Sequence, residues 1–366
     1  AILPHGEAIT MAQFNLWATG CAHVHTDIQH GRESLIDAIS HSERGGELGG
    51  PPFDWDIMLH LGDIMGEQGT PQDEHAEEVF RQYNSGELHD RHQIYSLLGN
   101  HDASGPDEPT QWWFKKYIDP TGDNPETSGV YNDRRPYPVE GTWERYTISI
   151  GNMLIIMMAD RNDGGPPAGR WNLGGYPAGK VTRETFEWWK DTVEANSDKV
   201  LVSCHHHMLK NTTVASGEWE GIDGGYHGRF DHEVKPDRPE GRPVGASYLY
   251  FVGDEEDSPA FTDYMEQNPG CIDLWLGGHT HTHPDDTYGG KSHIERKWDI
   301  TFANCCALSK YHGAKNVPLS RLLTFDDGSD SVRIRCYMHT DEYAPQGWYD
   351  KVEQNVPLHK PFASEA

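Results

Sequence analysis

The chain has 366 residues, 58 of them acidic and 30 basic, for a net charge of −28 with histidine neutral. A field of that sign repels nucleic acid and anionic membrane surfaces. The longest apolar runs, such as MLIIMMA at 153–159, are strand-sized and far short of the roughly 18–20 residues that span a bilayer. The six cysteines show no CxxC spacing and no dense disulfide framework. Cys21, Cys204 and Cys271 lie in or beside strand-like segments and read as buried small apolar residues. The 22 histidines are the compositional outlier.

In chain order, FNLWATGCAH reads as a strand ending at His23. ESLIDAISHSE (33–43) carries Leu35, Ile36 and Ile39 at helical spacing. FDWDIMLHLGD is a strand ending at Asp63, HAEEVFRQYNSG a helix with Gly86 at its exit, and QIYSLLGNHD a strand ending at Asn100. Residues 105–140, rich in Pro, Gly, Asp and Trp, read as a long loop with one short helix. GTWERYTISIGNMLIIMMAD (141–160) reads as a hairpin about Gly151-Asn152, and 161–182 as a Gly/Pro-rich loop. RETFEWWKDTVEANS is a helix and KVLVSCHHH a strand. Residues 211–260 form an acidic, Gly-rich insertion. SPAFTDYMEQNP is a helix, IDLWLGGHTHTH a strand, and TFANCCALS with SRLLTFDDGSDSVRIRCYM are closing antiparallel strands. Strand–helix–strand alternation predicts a mainly parallel sheet flanked by helices. With no internal repeat or linker, the chain reads as one domain, 1–366. It carries insertions at about 105–140 and 211–260 and an extension from about 326.

Five strand ends, far apart in sequence, finish in metal-ligand types. They are His23/His25, Asp63, Asn100-His101-Asp102, His205-His206-His207 and His279/His281. In an open α/β sheet, ligands bind beyond the carboxyl ends of the strands, so these groups should meet in one crevice. Glycines before Asp63, Asn100 and His279 let the backbone come close. Each group has an ordinary explanation, such as a turn, a cap or a surface histidine. Five such explanations in order multiply to a small probability.

The ordered set HLGD (60–63), GNHD (99–102), SCHHH (203–207) and GHTH (278–281) resembles the calcineurin-like metallophosphoesterase superfamily over roughly residues 12–310. The resemblance implies an α/β fold: a two-sheet β-sandwich core flanked by helices, in αββα layers. It implies two metal ions about 3.5–4 Å apart, bridged by Asp63. Asn100, His206 and His279 would complete the second metal. His206 is chosen by aligning HHML with the family's HHPL, with His205 the alternative. His25 and His281 would bind the first metal. His101 would be the general acid, oriented by Asp102.

The family's first motif is Asp-x-His, and the triplet matched to it here is His23-Val24-His25, which sets His23 in the Asp position. A neutral nitrogen there leaves Asp63 as the sole carboxylate on the two ions. Such a centre favours Zn, Fe or Ni over Mg, Ca and Mn; two divalent transition-metal ions (Zn, Fe, Mn or Ni) are expected. Two alternatives stand beside His23. Asp27, four residues on, could supply the carboxylate, or the first site could be empty. Arg161 is a candidate phosphate clamp, with a structural ion pair as its other reading. Trp112-Trp113 and Trp188-Trp189 read as packing residues, and His227 and His232 as exposed loop histidines.

The resemblance thus implies hydrolysis of phosphoric esters, mono- or diester, by a metal-bridging hydroxide attacking in line. The acidic charge points to a small phosphorylated metabolite, sugar or lipid. An alternative keeps the scaffold as a metal-binding module without turnover or with other chemistry. Intact His101 and Asp102 speak against it. An amidohydrolase barrel also opens with His-x-His but lacks the ordered GD, GNHD and GHTH set. The Ala1 start without a charged leader, and the acidity, favour a periplasmic or secreted setting over a cytoplasmic one.

Overall fold

A computed structural model describes residues 12–66, 69–105, 108–161, 178–218, 246–287, 290–313 and 316–365. His227 and His232, and most of the loop expected at 161–182, lie outside them.

The chain enters on β1 (Gln13–Thr19), then α1 (Val24–Ile28), α2 (Ser34–Arg44), β2 (Ile57–His60), α3 (Asp73–Tyr83) and β3 (Ile94–Ser96). The 105–140 segment holds three short helical turns, the second being α4 (Pro125–Ser128), and runs into β4 (Val139–Gly141). β5 (Arg145–Ile150) and β6 (Met153–Met158) form the expected hairpin, with Ile150 paired to Met153 across Gly151-Asn152. Next come β7 (Gly179–Val181), α5 (Arg183–Ala195), β8 (Val200–His205), β9 (Leu249–Val252), α6 (Ala260–Gln267) and β10 (Leu274–Gly277). The chain closes with β11 (Ile294–Lys297), β12 (Ile300–Asn304), β13 (Leu319–Asp326), β14 (Ser331–Met338), β15 (Gly347–Trp348) and β16 (Gln354–Pro357).

Two seven-stranded sheets result. One runs β15-β14-β13-β1-β2-β3, with β16 also on β14; the other runs β11-β12-β10-β8-β6-β5-β4. Part of each is parallel: β1, β2 and β3 at one edge of the first, and β6, β8, β10 and β12 in the middle of the second. Antiparallel strands complete the first sheet on its β1 side and flank the second on both sides. The sheets are therefore mixed rather than mainly parallel, and they form the two-sheet core that the resemblance implied; β7 and β9 pair in a separate two-stranded ladder. Residues after 326 are built into this frame: β14 to β16 extend the first sheet, and Phe362 is buried between the sheets.

Alternation along each strand explains the layers. Leu16 and Ala18 of β1 and Ile155 and Met157 of β6 point into a common inter-sheet core. Trp17 faces the other way, onto Leu35 and Ile39 of α2 and Val79 of α3. Leu154, Ile156 and Met158 face Trp189 of α5 and Phe261 of α6. Strands buried on both faces read as continuous apolar runs, as MLIIMM does. Trp113 and Trp189 are fully buried, their indole N–H groups donating to the Gln72 carbonyl and the Ser203 hydroxyl. The parallel strands of both sheets discharge at one edge of the sandwich, and the site is built there.

Candidate metal centre

β1 stops at Thr19, and Gly20–His23 turns off it. Cys21 N–H donates to the Gly62 carbonyl (2.8 Å) and His23 N–H to that of Asp63 (3.1 Å), so the first two strand-end loops are bound together. Cys21, His23, Asp63, His279 and His281 all stand at positive φ, between 43° and 69°. Each such non-glycine residue costs about 1–3 kcal/mol and persists only where its surroundings fix it, typically at functional sites. Gly99 is required for a plain steric reason. A Cβ there would lie 2.2 Å from the Asp63 amide nitrogen and 2.3 Å from its carboxylate.

Asp63 is the hub. Its Oδ2 lies 3.0 Å from His206 Nε2 and 3.7 Å from His23 Nε2. Its Oδ1 accepts the His101 amide N–H at 2.8 Å. His23 Nε2 and His281 Nε2 approach to 3.2 Å, and His279 Nδ1 lies 3.3 Å from His206 Nε2. His206 Nδ1 donates to the Leu61 carbonyl (2.6 Å) and His281 Nδ1 to that of His312 (3.2 Å). The Leu61 contact leaves the His206 Nε2 lone pair turned to Asp63, the usual support of a metal-ligating histidine, while His281 Nδ1 lies also 3.1 Å from Asn316 Nδ2 and its Nε2 faces His23. The Asn100 side chain is fully buried, and among the described residues both its Oδ1 and Nδ2 lack a hydrogen-bond partner, as does His23 Nδ1. A buried amide left unpaired costs about 1–3 kcal/mol. Convergent nitrogens, one carboxylate and an orphaned amide oxygen fit the donor set of divalent transition metals.

The sequence model of the calcineurin-like phosphoesterases matches residues 15–283. The chain belongs to that family. As a calcineurin-like phosphoesterase it is similar in structure to a predicted phosphoesterase of Streptococcus pneumoniae, at 12% identity and TM-score 0.33, covering 95% of this chain and 99% of that one. It is also similar to GAP50, the anchor in the inner membrane complex of Plasmodium, at 9% identity and TM-score 0.41, covering 95% and 90%. A third is Vps29 of Entamoeba histolytica, at 14% identity and TM-score 0.34, covering 94% and 99%. A comparison with the curated proteins finds no match.

In this calcineurin-like phosphoesterase, His23, Asp63, Asn100, His206, His279 and His281 come together as the sequence led one to expect. His25 does not join them. It lies on α1, its Nε2 2.5 Å from Gln29 Nε2 and its ring 4.2 Å from that of His75. The expectation matched the family's Asp-x-His to His23-Val24-His25, with both rings reaching one cluster where the backbone turns after the strand. The chain becomes helical at Val24 instead, and helical residues two apart do not share a face. Asp27 is not turned to the centre either. Its carboxylate receives Arg32 Nη1 (2.5 Å), Ser309 Oγ (2.5 Å) and the amides of Lys310 (3.0 Å) and Tyr311 (3.1 Å). Of the three consecutive histidines, His206 meets Asp63. His205 Nδ1 accepts the His207 amide N–H (2.9 Å), and its Nε2 lies 3.9 Å from Asp160. Arg161 pairs with Glu144 (2.9 Å) and lies over the Trp143 ring.

Asp102 accepts the amides of Ile64 and Met65 on Oδ1 and that of Gly99 on Oδ2, each at 2.9–3.0 Å. It thus ties the Asp63 loop to the Asn100 loop, rather than holding the His101 ring in the way expected. Burial, then the Asp63 charge, push its carboxyl up to about 7 against those amides. Burial also pushes Asp63 up, but the histidines, His206 and His101 foremost, hold it well below the usual carboxylate range. Burial depresses His206, and Asp63 more than reverses this, to about 9. Burial takes His281 down to about 4 and His23 well below the imidazole range.

Two residues escaped the sequence reading. His312 stacks flat on His23 (3.6 Å between ring centres, 5° apart) and sits edge-on to His101 at 4.5 Å. Nothing local marks it; it is brought in by the Asp27 bonds to 309–311. Cys21, read as an apolar residue, has its sulfur among the metal-facing atoms.

Proposed function

We propose that this calcineurin-like phosphoesterase hydrolyses phosphoric esters of small molecules with two divalent metal ions bound. The observation that carries the reading is the ring of His23, His206, His279 and His281 nitrogens and the orphaned Asn100 amide around the Asp63 carboxylate. Asp63 would hold both ions, one of them with His206, His279 and Asn100 and the other with His23 and His281. When bound, the ions supply Lewis-acid polarisation of the phosphoryl group and of a water. His101 is the general acid: its backbone is pinned to Asp63, and its ring stands beside those of His23 and His312, slightly open to solvent at 5% exposure. It would deliver a proton to the leaving-group oxygen. Asp102 positions it by fixing the backbone of its loop. The net charge of −28 disfavours long nucleic acids as substrates.

The test is hydrolysis of an aryl phosphate and a bis-aryl phosphodiester by the metal-loaded protein and by His101→Gln. The variant should keep its metal and lose about 10²–10⁴-fold in kcat. A metal-loaded wild type that hydrolyses neither would leave a metal-binding scaffold and refute the reading.

A further inference from the structure

The first metal of the proposed centre has two protein nitrogens and the Asp63 carboxylate, but His25, counted toward it from the sequence, is elsewhere. Cys21 occupies the gap. It is fully buried, and its sulfur lies with ring nitrogens of His23 and His281 in one group whose atoms are all within 4.8 Å of one another. It belongs equally to a second such group, with an Asp63 oxygen and a His206 nitrogen. Cys21 shares its left-handed backbone with His23, Asp63, His279 and His281, and its own N–H binds it to the Gly62 carbonyl beside Asp63. Close by, Asn100 is buried with its whole amide unpaired.

We propose that Cys21 is a thiolate ligand of the first metal ion, standing where the family's first motif carries its aspartate, with His23 as that motif's histidine. The triplet is then Cys21-Ala22-His23, which keeps the x-spacing and follows the end of β1 at once. This rests on the metal-dependent reading above. It resolves two difficulties. The inactive placement of His25 no longer matters, because the motif ends at His23. The charge is also restored: two divalent ions carry four positive charges, Asp63 offsets one and the thiolate a second, as a second carboxylate would. On coordination the sulfur–metal bond forms and the thiol proton leaves to solvent. Sulfur with two imidazoles selects Zn²⁺ or a similarly soft ion and disfavours Mg²⁺ and Mn²⁺. The second position, with Asn100 oxygen, keeps the harder set.

Cobalt(II) reads this directly, since a sulfur ligand gives an intense near-ultraviolet charge-transfer band that nitrogen and oxygen ligands do not. The full chain is loaded with Co²⁺, cobalt per chain is counted, and aryl phosphate turnover is followed on the same sample. The wild type should show the band, Cys306→Ser should keep it, and Cys21→Ser should lose it. Cys21→Asp should lose it while still binding two cobalt ions, which shows that the fold survives. Two bound ions without the band, or a band that survives Cys21→Ser, overturns the proposal. So does a band lost in Cys306→Ser, the neighbour hydrogen-bonded to Cys21. Turnover without the band leaves the hydrolase reading standing and removes the thiolate. The band without turnover does the reverse.

Discussion

Replacing Asp27 by Asn separates a ligand from a brace. The Asp27 carboxylate is buried and receives four donors, from Arg32, Ser309 and the amides of Lys310 and Tyr311. An amide has one oxygen for those four donors, and its own N–H₂ would face at least one of them. Breaking a buried charged pair by changing one partner costs about 3–5 kcal/mol. Arg32 keeps Asp37 at 3.2 Å and the Leu308 carbonyl at 2.8 Å, which places the cost near the lower end, about 3 kcal/mol. Equilibrium urea unfolding of the metal-free protein should therefore show a lower midpoint at unchanged slope. The loosened 309–312 segment carries His312, which is stacked on His23 and accepts from His281. Metal affinity should fall about 10–100-fold, as when a supporting partner is removed, yet two ions should still bind at saturation. Unchanged stability together with the loss of one ion would show that Asp27 is itself a ligand, and the argument would fail.

Other substitutions probe separate parts of the account. Asn100→Ala removes an amide that bonds nothing, so the metal-free protein should keep its stability within about 1 kcal/mol, while metal content falls from two ions to one by elemental analysis. Gly99→Ala drives a methyl into Asp63; overpacking of this kind costs about 1–3 kcal/mol, and metal binding should be lost even at temperatures where circular dichroism shows the fold intact. His41 and His339 stack in the outer layer of the first sheet, and burial lowers His41 to about 4 and His339 well below its usual range. The unfolded chain then takes up protons first, so their contribution is complete above about pH 6.5 and is lost as pH falls toward 4. His41→Gln should flatten that acid limb in melts run from pH 7 to 4.5; an unchanged limb would assign the acid sensitivity elsewhere.

Much of this was legible before any coordinates. The strand ends were, because apolar runs broken by Gly-Asp, Gly-Asn-His-Asp and Gly-His-x-His carry both the period and the stop. The hairpin at Gly151-Asn152 was, because its turn chemistry is local. The exact end of β1 was not. The strand was carried on to His23, which made Cys21 a core residue and left the motif to be matched at 23–25. The turn at Gly20 and the positive φ of Cys21 and His23 depend on bonds to the Asp63 loop about 40 residues away, and no local pattern encodes them. His312 and the true role of Asp27 were hidden for the same reason, since each is defined by the other across nearly 290 residues of chain. The two sheets were expected only through the motif resemblance, because alternating strands and helices do not by themselves reveal where a sheet divides.

The central claim is that the cluster around Asp63 holds metal ions that make the chain a hydrolase of phosphoric esters. The most direct test titrates the metal-free protein with Zn²⁺ and follows bound metal and aryl phosphodiester hydrolysis together, for the wild type and Asp63→Asn. Hydrolysis that rises as two ions bind per chain, with both lost in the variant, is the predicted result. Two ions bound by the wild type with no hydrolysis of the diester or the monoester would contradict it.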